Sequence, residues 1–161
     1  MPAMTNPAEA LVSFQEALLA GEIRLQRCVV DPNLYVFADR PNGMPRLTYV
    51  RLEGQMVTVF VNFALADPVD GTPCFQVGYA VPSHPQRQGR AKNAVTAALA
   101  ELQVGMRRNG VAGFYVEAVV GIANLASQLV AEQTIAATAT PITDAVSGQP
   151  ALQYLLEIPP T

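Results

Sequence analysis

Gln86-Arg87-Gln88-Gly89-Arg90-Ala91 stands where the chain changes hydrophobic period. Upstream, Cys74 to Val81 reads as a strand; downstream, Ala91, Ala94, Val95, Ala98, Leu99, Leu102 and Met106 keep one face of a helix. Arg107 and Arg108 sit at the negative end of that helix, and Asn109-Gly110 closes it. A helix start offers unpaired N–H groups and about half a positive charge, so this strand-loop-helix junction suits a small anion such as a pyrophosphate. Gly89 would let such a ligand approach the backbone closely. Arg87, Arg90 and Lys92, the sole lysine, concentrate here three of the chain's 10 Lys and Arg residues. The spacing excludes the nucleotide-triphosphate loop, which needs GxxxxGK[ST].

Working back from the junction, the reading is of a β meander. Leu47 to Glu53 and Met56 to Leu65 flank Gly54-Gln55 as a tight hairpin, Asp67 to Pro73 forms a turn, and Cys74 to Val81 is the third strand. Arg40 to Pro45 is a loop, and between residues 23 and 38 Asp31-Pro32-Asn33 forbids one continuous strand. Asn6-Pro7-Ala8-Glu9 combines a capping residue, a first-turn proline and a box-closing glutamate, so a first helix spans about 7 to 20, ending at Gly21. Working forward, Gly113 to Val120 reads as a strand, Asn124 to Gln133 as a short helix, Thr134 to Thr140 as an apolar strand, Asp144 to Pro150 as a turn and Ala151 to Ile158 as the last strand. The sum is an α+β fold with a mixed sheet.

Composition bounds what such a fold does. The 161 residues suit one domain spanning 1–161, and with 50% hydrophobic and 14% charged residues disorder is not expected. A formal net charge of −3 argues against nucleic acid as a partner, since phosphate affinity is built from many cations. Every apolar run is too short to span a bilayer, and the N-terminus lacks the basic start and apolar core of a signal peptide, so no membrane association and a cytoplasmic location are expected. Cys28 and Cys74 have no CxxC spacing and read as buried small hydrophobes, with no metal implied. The sparse charge raises the expectation of a homodimer that covers apolar surface.

Gln86-x-x-Gly89-x-Ala91 matches the [QR]-x-x-G-x-[GA] signature of the GNAT superfamily of acyl-CoA-dependent N-acyltransferases. Val77-Gly78-Tyr79-Ala80-Val81 resembles the family's fourth strand, at the family's distance from the signature. Val116-Glu117-Ala118 followed by Asn124-Leu125-Ala126-Ser127 resembles the E-A…N-x-x-S segment of the branch that includes ribosomal-protein N-terminal acetyltransferases. The resemblance runs from about Leu47 to the C-terminus and is poor for residues 1 to 46. It implies a GNAT-like, mostly antiparallel mixed sheet flanked by helices, acetyl-CoA as co-substrate, and a primary amine or a protein N-terminus as acceptor.

By the same resemblance, the backbone of Gln86, Arg87, Gln88, Gly89, Arg90 and Ala91 holds the CoA pyrophosphate, while Tyr79, Ala80 and Val81 pair with the pantetheine arm. An alkyl ammonium with a pKa near 10.4 loses its proton at a cost of about 4 to 5 kcal/mol at pH 7, so a base is useful. Glu117 is the candidate: no other carboxylate lies between Glu101 and Glu132, and a charge within an apolar strand is costly unless paired or functional. It could equally face solvent or pair with an arginine. Asn124 is read either as a pantetheine contact or as a helix cap, and Ser127 as a residue within reach of the thiolate leaving group. Many GNAT enzymes carry a tyrosine general acid seven residues after the asparagine; here Ala131 stands there, and Ile135-Ala136 replaces the usual Gly-Phe. These departures keep a second reading in view, a GNAT-fold CoA-binding or regulatory module without efficient catalysis. His84, flanked by prolines' ring constraint on one side, reads as a loop residue. Asp31, Asp39, Asp67 and Asp70 are loop aspartates that could attract an ammonium but more often make turns.

Overall fold

The computed structural model describes residues 6–82 and 88–160, Gln88 by its backbone only. Helix α1 (Pro7–Leu19) begins where the capping signature put it: the Glu9 amide donates to Asn6 Oδ1 at 3.1 Å and Pro7 occupies the first turn. Eight strands follow, interrupted by two helices: β1 (Gln26–Arg27), β2 (Tyr35–Asp39), β3 (Arg46–Glu53), β4 (Met56–Val69), β5 (Thr72–Ala80), α2 (Gln88–Arg108), β6 (Phe114–Gly121), α3 (Leu125–Thr134), β7 (Thr140–Thr143) and β8 (Pro150–Ile158). They form one sheet in the order β1-β2-β3-β4-β5-β6-β8-β7. Every pairing is antiparallel except β5 with β6, which is parallel because α2 makes the crossover between them. The arrangement is α+β, as the sequence reading expected.

Period-two alternation sends each strand's apolar residues to two different partners. On one face Val61, Phe63, Val77, Val116, Ala118 and Tyr154 meet Ala94, Val95, Ala98 and Leu102 of α2 in the larger core. On the other face Leu11 and Phe14 of α1 pack on Val50, Val57 and Phe60. Gln15 pins α1 to the β3–β4 hairpin: its amide oxygen accepts from the Val57 N–H at 2.7 Å and its amide nitrogen donates to the Gln55 carbonyl at 2.9 Å. The large core thus lies under α2, and α1 covers only part of the opposite face.

Two expectations are corrected. Residues 134 to 140 are not a strand: α3 continues through Thr134, the amides of Ile135 and Ala136 both donate to the Ala131 carbonyl, and β7 starts only at Thr140. Ile135 is 5% exposed and anchors the helix end in the core, which satisfies its apolar side chain without a strand. Nor is Asp67 to Pro73 a long turn. Strands β4 and β5 run into it and leave a two-residue connection, Asp70 (φ 49°) and Gly71 (φ 77°), between the paired Val69 and Thr72. Positive φ at both central residues is the tight hairpin geometry that matches strand twist, and Pro68 is accommodated within the register shift between Ala66 and Val69.

Candidate functional site

The parallel pairing of β5 with β6 runs through Cys74↔Tyr115, Phe75↔Val116 and Gln76↔Glu117, and there it stops. Both strands continue, each held on its outer side: β5 stays paired with β4 to Ala80, and β6 stays paired with β8 to Gly121. Between them Val77 to Ala80 and Ala118 to Gly121 diverge, opening a cleft inside the sheet. Val77, Gly78 and Tyr79 form one wall, Val119, Val120 and Gly121 the other, with Asn124 and Ser127 of α3 alongside. Backbone groups are obligatory hydrogen-bonding groups, so a strand freed on one side is a ready partner for an extended, amide-bearing ligand.

Helix α2 begins eight residues beyond Ala80, with its positive end at this side of the sheet. Gly89 is exposed and helical, and a Cβ built on it would meet no heavy atom within 4 Å. Packing therefore gives no reason for glycine in this first turn, where it costs about 0.5–1 kcal/mol relative to alanine. Arg90 and Lys92 are exposed, Arg90 reaching the Thr58 carbonyl at 3.4 Å, whereas Ala91 is buried against the core. Gln86, Arg87 and His84 lie outside the described residues.

Glu117 sits at the vertex of the cleft, in the last pair before the strands part. It is 6% exposed, and the Gln153 amide nitrogen donates to its Oε2 at 2.8 Å from β8. Neither of the alternatives weighed for it holds: it does not face solvent, and among the described residues no cation pairs with it. Alternation places it on the α1 face, opposite the Val116 and Ala118 side chains. Burial, and next the charge of Glu117, push the thiol of Cys74 up to about 12. Cys28 is likewise raised to about 12, first by burial, so both cysteines are buried, free and protonated.

Around the cleft the remaining candidates take structural contacts. Asn124 caps α3, its Oδ1 accepting from the Ser127 N–H at 3.2 Å. Tyr79 reaches across and its hydroxyl donates to the Ser127 carbonyl at 2.6 Å, tying α3 to β5; burial raises its pKa and keeps it neutral. Ala80 is half-buried at the end of β5, and Val81 follows the strand. Ala131 is fully buried, so the position where a tyrosine is common in the resembled family is core here. Asp31 and Asp39 are ion-paired, with Arg51 at 2.8 Å and Arg46 at 2.6 Å respectively, and Asp39 belongs to β2 instead of a loop. A second cleft lies between α1 and the sheet, with Ala10, Phe14, Phe37, Asp39, Arg46 and Asn62 among its walls. Asn62 is the register partner of Gly78, so this cleft adjoins the parting of β5 and β6 on the face that carries Glu117.

Gln153 was not singled out in the sequence. Its signal was faint but of the same kind as that of Glu117, a lone polar side chain in the apolar stretch Ala151 to Leu156.

No protein-family model matches the chain, and no curated protein matches it in sequence. Solved structures do match in shape. A GNAT-family acetyltransferase from Streptococcus pneumoniae superposes with a TM-score of 0.51 at 10% identity, over 70% of this chain and 67% of that one. An acetyl transferase from Salmonella typhimurium that modifies the N-terminal serine of ribosomal protein L7/L12 gives a TM-score of 0.48 at 19% identity, over 70% of this chain and 64% of that one. A ribosomal L7/L12 alpha-N-protein acetyltransferase solved in complex with coenzyme A gives 0.48 at 19% identity, over 70% and 62%. This chain thus spans a little under two thirds of the length of the latter two.

Proposed function

From a chain with the GNAT acetyltransferase fold, we propose an acetyl-CoA-dependent N-acetyltransferase that passes an acetyl group to a primary amine by direct attack within a ternary complex. The observation that carries this reading is the vertex: the cleft between β5 and β6 ends on a buried carboxylate, Glu117. A thioester substrate would lie with its pantetheine arm along Tyr79, Ala80 and Val81 and its pyrophosphate at the start of α2, over Gln88, Gly89, Arg90 and Ala91. The unused space above Gly89 supports that placement. The acceptor enters from the α1 side, where the second cleft adjoins the first.

In this reading Glu117 removes a proton from the acceptor ammonium, directly or through one water. The free amine attacks the thioester carbon; a C–N bond forms, the C–S bond breaks, and the nitrogen's second proton passes to the leaving thiolate, relayed by water or by the Ser127 hydroxyl, which gives one proton and takes one back. Gln153 holds the carboxylate by one oxygen, leaving the other for the proton. The partner reading, a CoA-binding module without efficient turnover, is favoured by one observation, the fully buried Ala131. Thiol release from acetyl-CoA across a panel of amines and N-terminal peptides separates them: turnover with one acceptor class supports the enzyme, and tight CoA binding with no turnover across the panel supports the module.

A further inference from the structure

A third cleft lies on the α2 face, well away from the parting of β5 and β6. It is bounded by β1, β2 and β3 on one side and the C-terminal half of α2 on the other, and encloses about 390 Å³. That falls at the lower end of the roughly 300–1,000 Å³ typical of small-molecule pockets. Its floor is apolar, formed by Val36, Leu47 and Tyr49, whose alternate positions point to this face. Its rim carries Arg24 and Arg108, and among the described residues neither guanidinium has a carboxylate partner.

The helix wall is lined by Glu101 and Arg108. Glu101, Gly105 and Arg108 recur at spacings that put them on one face of α2. A Cβ at Gly105 would meet nothing within 4 Å, so a glycine that costs the helix interior about 1 kcal/mol leaves open space there. Glu101 closes the inner end, about 10 Å from Arg108 along the axis at 1.5 Å per residue. Its two oxygens accept the Val29 N–H at 3.2 Å and the Asp31 N–H at 2.6 Å, which holds its charge at that inner end, a screening length away from an anion at the exposed rim. The cleft therefore presents an apolar body site, an occupied acid at the closed end and two unpaired cations at the open end.

We infer that this cleft binds a small amphipathic oxyanion, a carboxylate or phosphate monoester whose alkyl or aryl body lies on Leu47, Val36 and Tyr49 and whose anionic head meets Arg24 and Arg108. It goes beyond acetyl transfer and stands whether or not that reading holds.

Titration calorimetry on the full chain with octanoate, octyl phosphate and inorganic phosphate tests it. Saturable binding of octanoate or octyl phosphate at one per chain is expected, weakened about tenfold, or about 1.4 kcal/mol, by Arg24→Ala or Arg108→Ala, since each removes a charge-assisted contact. Gly105→Leu fills the open space and should abolish binding while leaving the melting temperature unchanged or higher. Whichever of the two amphiphiles binds more tightly identifies the head group. Inorganic phosphate binding as tightly as octyl phosphate, no saturable binding by either amphiphile, or binding that survives Gly105→Leu in the folded protein would overturn the inference.

Discussion

The two halves of the β5–β6 pair are made from the same two strands and do opposite things. From Cys74 to Gln76, β5 is zipped to β6, and the residues there are buried or packed by neighbours on both sides. From Val77 to Ala80 the ladder is absent, and the walls belong to a cleft. The boundary falls on Gln76↔Glu117, so one strand step separates a buried carboxylate from an opening wide enough to line with α3. A sheet that must hold an acid in a fixed place and also admit a ligand can do both only where pairing ends, because pairing supplies rigidity and its loss supplies donors and acceptors.

The hardest test of that division is at the vertex. Glu117→Gln keeps the volume and the Gln153 contact while removing the proposed base, and turnover should fall by roughly 10² or more at saturating substrate. An unchanged rate would take Glu117 out of the chemistry and make the vertex a purely structural acid. Next in size is the start of α2, proposed to hold the pyrophosphate. Gly89→Glu adds bulk and negative charge where packing is empty, and should raise the KM for acetyl-CoA at least tenfold with little loss of thermal stability. Equal loss of kcat with unchanged KM would separate the helix start from cofactor binding.

Smaller effects sharpen where structure ends and function begins. Asn124→Ala removes a cap and should cost about 1 kcal/mol of stability, read as a lower melting temperature, with the KM for acetyl-CoA changed less than threefold. A larger KM change without destabilisation would reassign Asn124 to the ligand. The smallest effect lies on the far side of the sheet, where Arg51 hydrogen-bonds Asp31 and holds its carboxyl below the usual 3.8. A depressed folded pKa adds stability above the unfolded value and loses it as pH falls through the folded one. The stability advantage of the wild type over Arg51→Ala should therefore be flat above about pH 4–5 and shrink below it. A difference independent of pH between 2 and 6 would mean that packing, and not the ion pair, is what Arg51 contributes.

Much of this architecture was legible in the chain because its signals are local. Asn6-Pro7-Ala8-Glu9 starts α1, the apolar face from Ala91 to Met106 builds α2, and Gly54 (φ 64°) turns the β3–β4 hairpin, each by interactions within a few residues. Errors came where the deciding contact is distant. The apolar run after Thr134 has strand composition, but the core takes Ile135 at a helix end instead. Asp67 to Pro73 has turn composition, yet the two prolines are absorbed at a register shift and near a hairpin end. At the site, Glu117 was visible as a lone acid, whereas Gln153 becomes its partner only through the β6–β8 register, and Glu101 becomes a clasp on residues 29 and 31 only through the packing of α2. The resemblance gave the parting of β5 and β6 a meaning, and the register shows where it begins.

The most direct test is a crystal structure of the protein with coenzyme A. The account predicts the pantetheine arm lying between Val77–Ala80 and Ala118–Gly121, with its thiol end toward Glu117 and its pyrophosphate over Gly89. Density for the cofactor elsewhere on the molecule, or strands β5 and β6 closed along their full length with no ligand between them, would contradict it.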